Sequence, residues 1–554
     1  MLRPPELRLM DVETPDDVGA FPRLSDAQVA ALAIGGTRRV VRAGETLVRA
    51  GTPSDEFFVI VSGTVAIVDD AGRVLRIHGP GRFLGELGLL EGQVAFYTAR
   101  MVEDGEVLVV PVRRIRALVE HDPTLSDLIL RAYLIRRCRL LDMVTGFRII
   151  GSCYSPDTRR LREFAVRNRL PHDWIDLERD SRAEQLLRDL GVAVEDTPVV
   201  IWGNERVLRN PTNAELGRLV GLPVPDTARE VCDLIVVGSG PAGLAASVYG
   251  ASEGLNTSVL EAIAAGGQAG TSSCIENYLG FPAGVSGTEL AERAVIQAGK
   301  FGARLLVSAE VVGLAVEDGH HLLRLAGGAA LLGRTVVLAT GARYRRLAVT
   351  GIERFEGAGV YYAATHQEAA MCGADPVAIV GGGNSAGQAT VFLAGCVEHV
   401  HLLIRGDDLG KSMSRYLVER IEQHRRVTVH HNTEVREVAG GDELDTIVVE
   451  NNHTAERQTL TVGALFVFIG ATPHTTWLGD SVALDSHGFV RTGPDAVFPD
   501  EDQRGARRPL PLETSRPGVF AVGDVRSGSV KRVASAVGEG AMAVRHIHEY
   551  LERS

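Results

Sequence analysis

Cysteine is scarce in this chain of 554 residues. Six cysteines occur, and no two of them have the spacing Cys-x-x-Cys. They are Cys138, Cys153, Cys232, Cys274, Cys372 and Cys396. A disulfide scaffold and a zinc ribbon each need closely paired cysteines, so both are excluded and we expect no metal site.

Excess positive charge and long apolar runs are also lacking. The formal net charge is -12 and the pI is about 5.8, which would repel a phosphate backbone, so we expect no nucleic-acid partner. The strongest apolar run, residues 462–471, is about half a membrane span. The first residues carry early acids and no apolar stretch, unlike a secretory signal. The sequence predicts a cytoplasmic protein without a membrane partner.

The length of the chain predicts three or four domains, because one hydrophobic core rarely serves so many residues. Short strands punctuated by glycine between residues 20 and 112 predict a small antiparallel barrel, and residues 113–143 predict a helical stretch. Alternating strands and helices follow, first in a compact α/β unit and then in two Rossmann-like units. The predicted domains are 1–143, 144–224, 225–344 with 473–554, and 345–472.

Two glycine turns carry the clearest chemistry. Gly238, Gly240 and Gly243 form G-x-G-x-x-G between the apolar strand DLIVVG and a helix, and Glu261 closes the next strand. Such glycines make the turn, let the backbone approach a pyrophosphate and pack helix on strand, while an acid like Glu261 accepts hydrogen bonds from the adenosine ribose. The pattern recurs at 381–386. Two bound dinucleotides are therefore predicted.

A third element, GVFAVGDV, places Asp524 after an apolar strand, where a carboxylate can hold the ribityl chain of a flavin. Six segments in order now resemble the low-molecular-weight thioredoxin reductase family over about residues 229 to 554: GSGPAG, GGQAGTSSCIENYLGFP, LATGARYR, GGGNSA, FIGATP and GVFAVGDV. The resemblance implies FAD and a nicotinamide nucleotide as cofactors. It also implies a homodimer and a nicotinamide domain that rotates to bring its nucleotide to the flavin.

The resemblance also implies which residues bind the cofactors. The residues expected along FAD are Gly238, Gly240, Pro241, Ala242, Gly243, Glu261, Gly267, Gln268, Asn277, Gly341, Gly523, Asp524, Arg532, Val533 and Ala534. The residues expected along NAD(P)H are Gly381, Gly383, Asn384, Ser385, Ala386, Arg405 and Lys411.

One departure from the family concerns its redox dithiol. Family members carry Y-C-A-T-C shortly before the second glycine turn, whereas this chain reads Y-A-A-T-H, with Ala363 and His366 at the cysteine positions. Disulfide exchange needs a thiolate and a second sulfur, so this route is closed. His366 is a candidate proton donor or acceptor near the flavin, or else a solvated loop histidine. Cys274 is a candidate reactive thiol, or else a small core residue.

The choice between NADPH and NADH depends on charge after the second strand of the nicotinamide domain. NADPH-using relatives read H-R-R there, because guanidinium groups attract a 2′-phosphate. This chain keeps Arg405, has glycine next and offers Lys411 further on, with Asp407 and Asp408 between them. We expect a slight preference for NADPH, and the alternative is that these charges only form a solvated face.

The N-terminal barrel resembles the cyclic nucleotide-binding domain over residues 20 to 140. Its FLGELGLLEGQ segment places Gly85, Glu86 and Leu87 where that family binds the ribose and cyclic phosphate. The family's phosphate-binding arginine is missing, since its place falls on Ala95 and the next arginine is Arg100. Losing that charged partner lowers affinity by about two decades or more, so packing or another small ligand competes with cyclic nucleotide binding.

Residues 146 to 222 resemble a thioredoxin or glutaredoxin fold. GSCYSPD stands at the usual catalytic turn, and Thr197-Pro198 at the position of that fold's cis-proline. Only Cys153 is present, because the partner position holds Pro156. A single thiol cannot complete an internal dithiol cycle, so we expect a structural or docking role.

Together these patterns predict an NAD(P)H-dependent FAD oxidoreductase that passes electrons from flavin to a small acceptor such as oxygen or a quinone. Two alternatives stay open. The protein is a non-catalytic flavin-containing redox sensor, or it reduces disulfides through distant cysteines such as Cys153 and Cys274.

Overall fold

The computed structural model describes most of the chain. The described residues are 13–16, 19–53, 55–69, 72–85, 94–141, 146–180, 183, 187–188, 191–202, 206–225, 231–272, 275, 277–356, 358–362, 364, 368–369, 372–373, 375–441, 443–497 and 508–553.

The N-terminal body is the predicted antiparallel barrel. It begins with helix α1 (Asp26–Ala33) and consists of two four-stranded sheets of order β1-β8-β3-β6 and β2-β7-β4-β5. The strands are β1 (Thr37–Val41), β2 (Thr46–Val48), β3 (Glu56–Ser62), β4 (Val65–Val68), β5 (Val74–His78), β6 (Phe83–Leu84), β7 (Thr98–Met101) and β8 (Gly105–Pro111).

The predicted helical stretch follows the barrel and consists of two helices. Helix α2 (Val112–His121) ends before Asp122, and helix α3 (Pro123–Leu141) begins after it. Asp122 is extended, as expected for a residue that precedes proline, and its Oδ1 accepts hydrogen bonds from the N–H groups of Thr124 and Leu125. Proline and this cap together separate the helices.

The second body, which we call the thioredoxin-like module (residues 147–219), has one sheet of order β10-β9-β11-β12. Strands β9 and β10 are parallel, and β11 runs antiparallel to β9. The Thr197–Pro198 peptide bond is cis. Its elements are β9 (Phe147–Gly151), α4 (Pro156–Arg167), β10 (His172–Asp176), β11 (Val199–Trp202), β12 (Arg206–Arg209) and α5 (Asn213–Leu219).

The third body, the first dinucleotide unit, has a seven-stranded sheet whose parallel part carries the order β15-β14-β13-β18, with β29 beside β18. Both faces of these strands are covered, which explains their continuous apolar sequence. The elements are β13 (Val231–Val237), α6 (Pro241–Ser252), β14 (Thr257–Leu260), α7 (Gly287–Lys300), β15 (Arg304–Leu306), β16 (Val311–Glu317), β17 (His320–Leu325), β18 (Ala330–Leu338), β29 (Val519–Ala521) and α10 (Val533–Arg553).

The fourth body, the second dinucleotide unit, joins the first through a two-stranded ribbon of β19 (Ala342–Tyr344) and β28 (Ala471–Pro473). It contains a parallel sheet of order β20-β27-β21-β22-β23 and a three-stranded meander. Its elements are β20 (Val360–Tyr361), β21 (Val377–Val380), α8 (Asn384–Leu393), β22 (Val400–Leu403), α9 (Arg415–Glu422), β23 (Val427–His430), β24 (Thr433–Gly440), β25 (Leu444–Asn451), β26 (Arg457–Thr461) and β27 (Ala464–Val467).

One apolar cluster continues from the barrel through the module into the first dinucleotide unit. At the first junction the rings of Phe96 and Trp202 lie 5.5 Å apart, and the Val94 N–H donates to the Val220 carbonyl. At the second junction Ile296 and Val307 belong to the same cluster. Among the described residues, no helix combines the length and apolar character that a membrane crossing requires.

Candidate functional site: two glycine turns and a flavin-type carboxylate

The first glycine turn connects β13 to α6. Gly238 has φ +98°, a conformation that favours glycine. A Cβ on Gly243 would lie 1.9 Å from the Gly238 carbonyl oxygen, so this position is closed to any side chain. A Cβ on Gly240 would meet only the Cα of Gly267, at 3.9 Å, among the described residues. The backbone at Gly240 therefore borders open space before the helix N-terminus, which fits a pyrophosphate.

Glu261 lies directly after β14, beside this turn. Its carboxylate accepts hydrogen bonds from the Ser239 N–H at 3.0 Å, the Ser239 hydroxyl at 2.7 Å and the Ile263 N–H at 3.0 Å. These bonds fix the carboxylate at the strand end where a ribose is expected. Ser239 was not predicted, because the middle position of a glycine motif carries no sequence signal for a side-chain role.

Asp524 also comes close to the first turn. A Cβ on Gly523 would lie 2.9 Å from the Cβ of Ala242, so the Gly-Asp turn packs on the start of α6. Burial raises the pKa of Asp524, and no described residue donates a hydrogen bond to its carboxylate. A half-buried acceptor without a donor fits a ribityl hydroxyl.

Glu539 on α10 holds this Gly-Asp turn and was missed by sequence reasoning. Its carboxylate accepts the Gly523 N–H at 2.7 Å and pairs with Arg526. Glu539 lies on a helix that begins after the turn has ended, so only the fold reveals the contact.

The other residues expected along FAD are spread over five places in the chain. The Gln268 side-chain amide donates to the Ala342 carbonyl, which ties the 267–271 segment to the ribbon strand β19. Gly267 and Gly341 have positive φ values of +55° and +63°. The remaining positions are Pro241, the first residue of α6; Asn277, which is exposed; and Arg532, Val533 and Ala534 at the start of α10.

The second glycine turn repeats the first between β21 and α8. Gly381 has φ +147°, and a Cβ there would lie 2.3 Å from the Phe468 carbonyl oxygen. Ala386 is buried against this turn, and Gly383 has open space around its Cβ position. The Asn384 side-chain oxygen accepts the Ser414 N–H at 2.6 Å, which links the turn to the start of α9. Ser385 is exposed.

The charges after β22 largely cancel. The Lys411 ammonium lies 2.6 Å from the Asp407 carboxylate, and that contact raises the pKa of Lys411. Asp408 caps the short helical turn by accepting the Gly410 N–H. Arg405 is exposed. With Lys411 paired to Asp407, the charges after β22 give a weaker positive field than a pair of arginines would.

The barrel site differs from a phosphate-binding pocket at residue 95, where the family's phosphate-binding arginine is replaced by alanine. Gly85 has φ +97°, and a Cβ there would lie 2.4 Å from the Glu56 carbonyl oxygen. Ala95 is 6% exposed, its N–H donates to the Thr52 carbonyl, and Arg100 is exposed on β7. Glu86 and Leu87 lie outside the described residues.

The described cysteines do not form a redox pair. Cys153, Cys232, Cys372 and Cys396 are free thiols. Burial and Asp176 raise the pKa of Cys153, and burial raises the pKa of Cys372 to about 12, so both resist forming a thiolate. Ala363, His366 and Cys274 lie outside the described residues.

Comparison with known proteins agrees with this geometry. The family model described as pyridine nucleotide-disulphide oxidoreductase matches residues 232–540. The chain belongs to the pyridine nucleotide-disulphide oxidoreductase family. A second model, the cyclic nucleotide-binding domain, matches residues 38–122, which confirms the predicted N-terminal fusion.

Relatives in the pyridine nucleotide-disulphide oxidoreductase family are similar to the C-terminal part. The thioredoxin reductase of Treponema pallidum (strain Nichols) is 33% identical over 58% of this chain and 97% of its own length. The 34.2 kDa protein in the rubredoxin operon of Clostridium pasteurianum is 31% identical over 58% and 97%. The NADPH-dependent thioredoxin reductase 3 of Arabidopsis thaliana is 30% identical, over 63% of this chain and 66% of its own length.

Solved structures agree. The thioredoxin reductase of Lactococcus lactis (FR conformation) matches with TM-score 0.53 and 25% identity over 58% of this chain and all of that one. The thioredoxin reductase of T. acidophilum matches with TM-score 0.52 and 27% identity over 58% and 98%. The pyridine nucleotide-disulphide oxidoreductase family uses FAD and NAD(P)H, which confirms the predicted cofactors and the prediction of an NAD(P)H-dependent flavoprotein oxidoreductase.

Proposed function

We propose that this protein is an NAD(P)H oxidase or reductase that passes electrons from FAD directly to a small acceptor, such as oxygen or a quinone, without a dithiol relay. The observation that carries the proposal is Y-A-A-T-H in place of the family's Y-C-A-T-C. A disulfide relay needs two sulfurs, and Ala363 and His366 supply none. The high pKa of Cys153 and of Cys372 gives no support to a replacement pair among them.

Bound FAD would supply the redox chemistry, which is two-electron exchange with a nicotinamide and one- or two-electron exchange with an acceptor. The α6 N-terminus and Gly240 would bind its pyrophosphate, and Glu261 would orient the ribose. Asp524 would accept a hydrogen bond from the ribityl chain, in a turn that Glu539 keeps in place. Around the second turn, Gly381 and Gly383 would bind the nicotinamide dinucleotide, and Arg405 would be available to its adenosine ribose. In the same scheme His366 is a candidate to move a proton to the reduced acceptor, and Cys274 a candidate reactive thiol.

The resemblance to dimeric reductases extends the proposal to a homodimer. A cavity of about 360 Å³ between α6 and α7 is lined by apolar side chains that include Tyr278 and Phe281. Nearby, Tyr249 is 46% and Leu279 93% exposed. Exposed apolar side chains of this kind favour an interface, and a second copy would bury them. Light scattering of the purified protein measures the oligomeric state.

The test uses the purified yellow protein under anaerobic conditions. We expect NADPH and NADH to bleach the flavin, and oxygen or a quinone to restore its colour. Oxidised thioredoxin should not restore it. Brisk turnover of thioredoxin would contradict the proposal, and slow bleaching by both nucleotides together with a stable protein partner would favour a redox sensor.

The matched variants are His366→Ala and Cys274→Ser. Unchanged turnover in either one removes that residue from the chemistry. If Cys274→Ser alone loses activity towards a disulfide, the alternative of a disulfide reductase with non-standard cysteines is supported instead.

A further inference from the structure

The thioredoxin-like module contacts the second dinucleotide unit through an arginine. Arg159 lies on the exposed face of α4, and its Nη1 donates a hydrogen bond of 3.1 Å to the backbone carbonyl of Glu356. The two residues are 197 positions apart in the chain. The hydrogen bond therefore connects two bodies between which, in the sequence, the first part of the first dinucleotide unit lies.

Glu356 is a junction within the second unit. Its carboxylate accepts the Tyr362 hydroxyl at 2.9 Å and lies 3.4 Å from the guanidinium of Arg346. Burial and this hydrogen bond raise the pKa of Tyr362 to about 12, so the hydroxyl stays a donor at any physiological pH. Arg346 follows the ribbon strand β19, and Tyr362 follows β20. Arg159 thus binds the residue that joins the ribbon to the parallel sheet.

The module itself is fixed to the first dinucleotide unit. The Asn168 side-chain amide donates to the Ile263 carbonyl at 2.9 Å, and Arg169 pairs with Glu292, with side chains only 17% and 8% exposed. The apolar cluster around Ile296 and Val307 adds to this contact. The module and the first unit therefore behave as one body, from which Arg159 reaches the other unit.

We propose that Arg159 is a positioning residue for hydride transfer: through Glu356 it biases the orientation of the second dinucleotide unit, and so of the nicotinamide, relative to the flavin. The inference rests on the proposed function, because it concerns the same hydride step. The contact favours the orientation described here over any in which the ribbon has pivoted and the hydrogen bond is broken. An exposed charge-assisted hydrogen bond shifts such an equilibrium by about two- to tenfold.

The experiment compares the full-length wild type with three variants. Arg159→Ala removes the hydrogen bond, and Arg159→Lys keeps a cationic donor. Arg167→Ala is the matched control, because Arg167 lies on the same helix and pairs with Glu163 within it. Hydrogen exchange of residues 346–362 is measured first, without nucleotide. The limiting rate of flavin bleaching and the dissociation constant of NADPH are then measured anaerobically by stopped flow.

We expect faster exchange at 346–362 in Arg159→Ala and a limiting bleaching rate changed by about two- to tenfold. The NADPH dissociation constant, the FAD content and the melting temperature should stay at wild-type values, because the described Arg159 contact is made to Glu356 rather than to the Gly381 turn proposed to bind the nucleotide. Arg159→Lys should recover part of the change, and Arg167→Ala should match the wild type. A limiting bleaching rate in Arg159→Ala below that of the wild type would show that the described orientation is the one that transfers hydride. A rate above that of the wild type would show that it is an orientation in which hydride transfer does not occur.

Unchanged exchange at 346–362 in Arg159→Ala would overturn the inference, even in a protein whose flavin is never reduced by a nicotinamide nucleotide. Equal bleaching rates in Arg159→Ala and Arg167→Ala would overturn it as well. Failure of the wild type to bleach, with exchange altered as expected, would count against the proposed function while leaving the contact in place.

Discussion

Single replacements of two glycines in the first turn by alanine should show that one glycine is needed for folding and the other for binding FAD. In Gly243→Ala the new Cβ would lie 1.9 Å from the Gly238 carbonyl oxygen, whereas an ordinary contact is at least 3.4 Å. The start of α6 or the end of β13 must therefore move by roughly 1.5 Å, which costs about 3 kcal/mol as overpacking of a tight core. For a unit of this size that lowers Tm by about 6 to 12 °C.

Gly240→Ala should behave in the opposite way. Gly240 has φ -69° and ψ -178°, which alanine adopts freely, and the nearest described atom to its Cβ would be 3.9 Å away. The stability of the flavin-free protein should change by less than about 0.5 kcal/mol. The methyl group instead occupies the space that the pyrophosphate approaches, so the affinity for FAD should fall at least about tenfold.

The assay is thermal unfolding of flavin-free protein, followed by titration with FAD and quenching of its fluorescence. The two variants are each other's control, because both add one methyl group to the same turn. Equal Tm losses in the two variants would refute the reasoning. So would wild-type FAD affinity in Gly240→Ala, since it would place the pyrophosphate elsewhere.

Two further predictions concern charge. Asp407→Asn removes the carboxylate that pairs with Lys411, so the ratio of kcat/KM for NADPH to kcat/KM for NADH should rise about three- to tenfold. An unchanged ratio in steady-state kinetics would contradict this electrostatic account. Burial, with Arg136 and Arg82 nearby, lowers the pKa of His78 to about 2, so only the unfolded chain takes up its proton below about pH 6.5. The free energy of unfolding that is present above pH 6.5 should therefore fall on acidification, by about 2 kcal/mol at pH 5 from this residue. His78→Gln should flatten the dependence of Tm on pH. A wild-type slope in that variant would exclude His78 as the cause.

The glycine turns could be predicted because their spacing encodes a backbone shape. Gly243 must lack a Cβ for the helix to pack on the strand, and Gly240 must lack one for a ligand to approach, so local sequence carries both requirements. Asp524 was predicted on similar grounds, from its place after a short apolar strand.

Contacts between distant segments could not be predicted. Glu539 holds the Gly523 turn from a helix later in the chain, and no pattern in α10 singles it out among the other acids. The pairing of Lys411 with Asp407 depends on a single helical turn, which decides whether the lysine faces a ligand or its neighbour. The prediction of a helical stretch over 113–143 did not divide it at Pro123, although proline itself gives a signal for a break.

The apolar cluster that the module shares with the first dinucleotide unit limits how this protein can be truncated. Removing everything before residue 231 would expose Ile296 and Val307 to water and leave Glu292 without Arg169. A fragment that starts at residue 231 would then expose an apolar surface that the module covers in the full chain. The module is thus expected to help keep the first dinucleotide unit folded and free of aggregation.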